Sequence, residues 1–109
     1  MIKIKFNPDK YELEVKGHAN FDEKGRDIVC SAISTLFYTL AQCVCDSKDM
    51  LTEEPEIDIQ PGGEGRISCK PKAEYEGNIA RTYWTILTGL NLIAENYKKN
   101  VKMFVKGMK

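Results

Sequence analysis

One pair of residues has the types and the placement for thiol hydrolysis: His18, the one histidine of the chain, and Cys30, which follows it after a polar stretch. A cysteine at a helix start faces backbone N–H groups without helical partners and the positive end of the helix dipole, and both favour an anionic sulfur. An imidazole in hydrogen-bond reach pairs with that thiolate and later protonates the departing amine, the two tasks of cysteine–histidine hydrolysis. The N–H groups of Val29 and Cys30, at the same helix mouth, are candidate donors to the oxyanion that develops on a scissile carbonyl. The plainer account is a core cysteine and a surface histidine, because cysteine is among the residue types most often buried and this spacing is specific to no one chemistry.

Two neighbours have roles that the residues leave open. Asp27 either caps the helix by accepting its first N–H groups or orients His18 as a third catalytic member. Ser34 lies one turn beyond Cys30 on the same flank, where its hydroxyl can meet the thiol, a bound substrate or the carbonyl of Cys30. The other thiols read as structural. Cys43 and Cys45 fall about 200° apart on a helix and cannot grip one ion together, and no second histidine or C-x-x-C pair completes a zinc site. Cys69 alternates onto an apolar strand face. Neither a metal nor a cofactor is expected. The run Pro61-Gly62-Gly63-Glu64-Gly65-Arg66 leads into a strand, so no helix dipole would face a phosphate there.

The elements that must position these residues are legible in the hydropathy pattern. Ile2, Ile4 and Phe6 alternate with Lys3 and Lys5, and after Asn7-Pro8-Asp9 the alternation resumes with Tyr11, Leu13 and Val15, which predicts a hairpin with one buried face. Residues 17 to 27 are polar, bracketed by Gly17 and Gly25, and read as a hinged loop. From Ile28 a 3.6-residue period (Val29, Ile33, Leu36, Phe37, Leu40, Val44) predicts a helix ending near Asp46 to Lys48. Ile57, Ile59, Ile67 and Cys69 flank a glycine-rich turn and predict a second hairpin. Ile79, Tyr83, Ile86, Leu87, Leu90, Ile93, Ala94 and Tyr97 predict a second helix, and Val101, Met103 and Val105 a last strand. The expected fold is α+β, a sandwich of order ββαββαβ with two helices packed on one face of a mainly antiparallel five-stranded sheet.

At 109 residues, 42% hydrophobic and 29% charged, the chain is expected to form a single domain spanning residues 1–109. No apolar run approaches the roughly 20 residues needed to cross a bilayer, and the start of the chain lacks an export signal, so a cytoplasmic protein without a membrane role is expected. Four cysteines then belong to a reducing compartment. Sixteen basic residues balance sixteen acidic ones, which argues against nucleic-acid binding driven by phosphate neutralisation. Charge is unevenly spread, with an acidic run at residues 53–58 and a lysine-rich stretch from Tyr97 to the end.

The stretch GHANFDEKGRDIVCSAIS, from Gly17 to Ser34, resembles the bacterial ribosomal-processing cysteine protease family. That family has Gly-His-Ala, a variable loop, then Gly-x-Asp-Ile-Val-Cys followed by small residues and a serine. Ser31 and Ile33 depart from the commonest family residues. The resemblance implies a cysteine endopeptidase that removes the N-terminal extension of a large-subunit ribosomal protein, the twenty-seventh of the L series. It assigns His18 and Cys30 as the catalytic pair, Asp27 and Ser34 as supporting residues, and the Gly17 to Arg26 loop, with its glycines Gly17 and Gly25, as a lid. It further implies a homodimer with an α/β sandwich fold and an apolar groove beside Cys30, because the family cleaves after an aromatic residue. Two alternatives stand beside it: a non-catalytic ribosome-associated binding module that uses the lysine-rich end, and a relative with the same dyad and another peptide substrate.

Overall fold

The computed structural model describes residues 1–23 and 26–108; Gly25, the second glycine assigned to the lid, lies outside them. Alternating residues build the centre of the sheet. Strands β1 (Ile2–Asn7) and β2 (Glu12–Lys16) pair antiparallel, with Ile4 opposite Val15 and Phe6 opposite Leu13. Because strand side chains alternate between faces, Ile2, Ile4, Phe6, Leu13 and Val15 are all buried, whereas Lys3 and Lys5 are exposed. Strands β3 (Glu56–Ile59) and β4 (Gly65–Ser68) form the second hairpin, and β4 pairs antiparallel with β2. Strand β5 (Val101–Val105) completes the sheet, giving the order β3-β4-β2-β1-β5.

The pairing of β5 with β1 is parallel. A parallel neighbour needs a crossover, and helix α2 (Glu76–Asn96) supplies it by leading from the β4 side of the sheet back to β1. Helix α1 (Ile28–Asp46) packs beside α2, and the buried side chains of both helices join the inward residues of the sheet in one hydrophobic cluster. Two helices therefore cover one face of a mixed, mainly antiparallel sheet, in the expected order ββαββαβ. The outer face carries Lys3 beside Lys102 and Lys5 beside Phe104, with the Lys102 ammonium 5.1 Å from the centre of the exposed Phe104 ring.

Helix α1 departs from one expectation. At 19 residues it is long and apolar enough, by length and composition, to cross a membrane. Its threonine and serine residues mask this in a run-by-run reading, because they punctuate the apolar positions without removing the helix's apolar character. In the fold Val29, Ile33, Phe37, Leu40, Ala41 and Val44 are buried, so its apolar stripe belongs to the core. Thr35 and Thr39, on the exposed side, return their hydroxyl hydrogens to the carbonyls of Ser31 and Thr35.

Phe37 is fully buried and Phe104 is 47% exposed, which separates two phenylalanines of equal chemistry. Phe37→Ala is expected to cost about 3–5 kcal/mol in urea unfolding, through lost transfer energy and the cavity left behind. Phe104→Ala should change the same measurement by no more than about 0.5 kcal/mol.

Candidate active site

The end of β2, the beginning of β1, the segment before β5, the mouth of α1 and the β3–β4 turn converge at one end of the sheet. Gly17, directly after β2, has φ +91°, and a Cβ there would run into the carbonyl oxygen of Met1. Glycine is therefore required both by the backbone angle and by the close approach. Its N–H donates to Glu64 Oε2 at 2.8 Å, tying the segment to the β3–β4 turn. His18 follows with an exposed side chain, then Ala19, which is 1% exposed, and Asn20 at φ +55°.

Cys30 is half-buried in the first turn of α1. The Ala19 N–H donates to its Sγ at 3.4 Å, so the chain immediately beyond His18 lies on the sulfur. The Ala19 carbonyl accepts from Asn100 Nδ2 at 2.9 Å, which pins the same residue from the opposite end of the chain. Asn100 is itself fixed by its main chain, donating to the carbonyl of Tyr97 at 2.9 Å and accepting from Ile2 at 2.8 Å. Phe21, further along the loop, stands edge-on to Tyr97 with ring centres 5.4 Å apart.

Asp27 resolves into a cap. Its Oδ1 accepts from Val29 and Cys30 N–H, both at 3.0 Å, and Oδ2 accepts from Phe21 at 3.0 Å and Asp22 at 3.4 Å. The side chain is buried yet fully engaged, binding loop to helix with one carboxylate. Burial alone raises its pKa. Hydrogen bonds from the main chain of Cys30, Phe21 and Asp22, together with the Cys30 side chain, outweigh that effect and hold the carboxyl below the ordinary 3.8. One consequence corrects the sequence expectation: the Val29 and Cys30 N–H groups, candidates for oxyanion donors, are taken by Asp27. The Ser31 N–H is also occupied, by the Asp27 carbonyl at 3.0 Å.

Ser34 faces the glycine-rich turn. A Cβ on Gly63, where φ is +90°, would stand 2.9 Å from Ser34 Oγ, so the bare glycine is what lets the turn lie against the helix. Among the hydrogen bonds of the described residues, none involves Ser34 Oγ. The turn thus lies against α1 at Ser34, one helical turn beyond Cys30, and reaches Gly17 through Glu64. Gly63, Glu64 and Asn100 are site-building residues that sequence reasoning passes over. The Gly62-Gly63 pair marks a turn, but no local signal shows that Glu64 reaches Gly17 or that Asn100 reaches Ala19. A cleft lined by Tyr11, Glu12, Glu56, Arg66, Ser68 and Glu76 lies at the opposite end of β2 and shares no residue with the thiol's surroundings. Cys43 is half-buried, Cys45 exposed, and Cys69 buried with its sulfur 3.5 Å from the Tyr83 hydroxyl.

Three outcomes are expected from this geometry. Asp27→Ala should lower stability by about 1–2 kcal/mol, the usual cost of losing a helix cap, in thermal or urea unfolding. Because its folded pKa lies below the unfolded value, Asp27 stabilises the fold above about pH 4, and that contribution is lost as pH falls through the depressed folded pKa. Asp27→Asn should flatten this acid-side loss in a stability–pH profile. Gly17→Ala should destabilise by more than about 1 kcal/mol, because it combines a left-handed φ with a backbone collision.

Residues 1–102 match the family model described as Cysteine protease Prp. The chain is 54% identical over 101 residues to the ribosomal processing cysteine protease Prp of Mycoplasma genitalium, covering 90% of this chain and 91% of that one. It is 24% identical over 95 residues to the protein of that name from Staphylococcus aureus, covering 87% and 86%. Among solved structures, the S. aureus protease Prp in complex with a covalently linked product peptide superimposes with a TM-score of 0.76 at 24% identity, covering 97% of this chain and all of that one. A Streptococcus mutans protein superimposes with a TM-score of 0.66 at 25% identity, covering 95% and 90%. With the family pattern matched across nearly the whole chain, this protein belongs to the ribosomal processing cysteine protease family and is a cysteine protease.

Proposed function

We propose that the protein cleaves the N-terminal extension from a bacterial large-subunit ribosomal protein, with Cys30 as nucleophile and His18 as base. The observation that carries this reading is the hydrogen bond from Ala19 N–H to Cys30 Sγ, because it brings the segment bearing the one imidazole of the chain against the thiol at the mouth of α1. In this reading His18 takes the thiol proton as Cys30 attacks the scissile carbonyl, then returns it to the leaving amine. Water hydrolyses the thioester that remains. Asp27 and Ser34 support the pair indirectly, Asp27 by holding the helix mouth and the loop together and Ser34 by seating the turn that carries Glu64.

A peptide substrate fits the S. aureus relatives, which have been crystallised with a substrate peptide and with a covalently linked product peptide. The Phe21–Tyr97 pair next to the Ala19–Asn100 contact is an aromatic surface suited to the aromatic residue before the cleaved bond. The segment from Gly17 onward serves as the lid over Cys30, and the enzyme works as a cytoplasmic homodimer without direct nucleic-acid contact.

The test is incubation with a peptide copying the extension of the organism's own ribosomal protein, read by mass spectrometry. Wild type should cut at one bond after an aromatic residue, Cys30→Ala should show no cleavage, and His18→Ala should lose at least about 100-fold in rate, the scale of a lost acid–base group. Cleavage by Cys30→Ala at the wild-type rate would overturn the reading.

A further inference from the structure

We propose that the main-chain N–H of Ala19 is the oxyanion donor of this protease and that Asn100 is the residue that positions it. The inference rests on the assignment of Cys30 as nucleophile. It starts from a shortage: a tetrahedral intermediate needs an N–H near the sulfur, yet the first-turn groups of Val29, Cys30 and Ser31 all donate to Asp27. Among the described residues, the main-chain donor directed at Cys30 Sγ is Ala19, at 3.4 Å.

The chemistry follows from that direction. When the Cys30 thiolate attacks, its electron pair forms the carbon–sulfur bond and the carbonyl π pair moves onto oxygen. That oxygen is attached to the carbon now bonded to Sγ, so an N–H already aimed at the sulfur can reach it within the roughly 2.7–3.1 Å that such stabilisation requires. As the pair on oxygen returns to re-form the carbonyl, the carbon–nitrogen bond breaks and the amine leaves with the proton held by His18. The donor therefore exchanges a weak sulfur acceptor in the resting enzyme for a full negative charge in the transition state, the preferential stabilisation that accelerates a step.

Such a donor must not drift, and Ala19 is held accordingly. Its side chain is buried, its carbonyl accepts from Asn100 Nδ2 at 2.9 Å, and Asn100 is anchored through its own backbone to Ile2 and Tyr97. On the upstream side the Gly17 N–H is fixed by Glu64. Asn100 does not touch the reacting atoms; it fixes the residue that does.

The experiment replaces Ala19 by L-lactic acid through nonsense suppression, which keeps the methyl group, puts an ester oxygen in place of the N–H and weakens the His18 carbonyl as an acceptor. Single-turnover acylation by the extension peptide is compared with alkylation of Cys30 by iodoacetamide, a displacement that forms no oxyanion. Acylation is expected to fall about 100-fold or more, the scale of a lost oxyanion donor, while alkylation falls far less. Asn100→Ala, which keeps the Ala19 N–H, should lower kcat by about fivefold with KM little changed, consistent with one lost neutral hydrogen bond. Unchanged acylation in both variants overturns the proposal, and so does an equal fall in acylation and alkylation, which would confine the N–H to stabilising the thiolate. Full cleavage by His18→Ala would instead defeat the dyad while leaving the acylation comparison to judge Ala19.

Discussion

The carboxylate of Asp27 is the joint on which the site depends. Four main-chain N–H groups from two segments converge on its two oxygens, those of Val29 and Cys30 from the helix and those of Phe21 and Asp22 from the loop. A buried carboxylate is costly unless its lone pairs are filled, and here the filling groups are the orphan donors of a helix start and the N–H groups of residues 21 and 22, which lie outside any helix or strand. One interaction thus satisfies the helix mouth and fixes where the loop returns to it. The loop must then bridge the distance from the end of β2 to that point, and its path lies across Cys30.

The other anchor comes from the sheet. Parallel pairing in the register Ile2 opposite Val101 brings residue 100 alongside the start of β1, where the Ile2 N–H binds the Asn100 carbonyl. The antiparallel register of β1 with β2 carries Gly17 back to the same place, hard against Met1. Asn100 and Gly17 are neighbours of one strand end although they are distant in sequence. Had β5 paired antiparallel to β1, Asn100 would lie at the opposite end and Ala19 would lose its carbonyl partner. The core packing of α2 against the sheet, through Tyr83, Leu87 and Leu90, enforces the crossover that makes the pairing parallel.

Much of this was readable in the chain itself. Strict alternation in Ile2, Ile4 and Phe6 and in Leu13 and Val15 specified the central hairpin, and the helical period from Val29 to Val44 specified α1, because each pattern has one physical solution when a single face is buried. The family was readable because its motif is local. Strand order was not, since period-two patterns say which face is buried and nothing of which edge each strand takes. Contacts between Glu64 and Gly17 or between Asn100 and Ala19 arise only once the register exists. The assignment of Val29 and Cys30 as oxyanion donors failed for a different reason. A helix-start N–H has one hydrogen to give, and the Asp27 carboxylate, two and three residues away in sequence, claims those of Val29 and Cys30 before any external anion can.

Among its described residues the loop divides its interactions unevenly. At its ends are constraints that resist displacement: Gly17, where backbone angle and contact with Met1 both demand glycine, and Asp27, with its four charged-acceptor hydrogen bonds. Between them, among the described residues, two contacts are softer. A thiol accepts hydrogen bonds weakly, and Phe21, 46% exposed, meets Tyr97 by an edge contact of about 1 kcal/mol. In the proposed reading a peptide entering the site displaces the Phe21 ring and the sulfur bond, while the main-chain ties to Glu64 and Asp27 hold the segment. Within that span the Asn100 bond to the Ala19 carbonyl ties the residue whose N–H points at the sulfur, while the Phe21 and Asp22 N–H groups are tied to Asp27. The contacts of the Phe21 ring and of the Cys30 sulfur are thus the weak ones, and those of Gly17, the Ala19 carbonyl and Asp27 the strong ones.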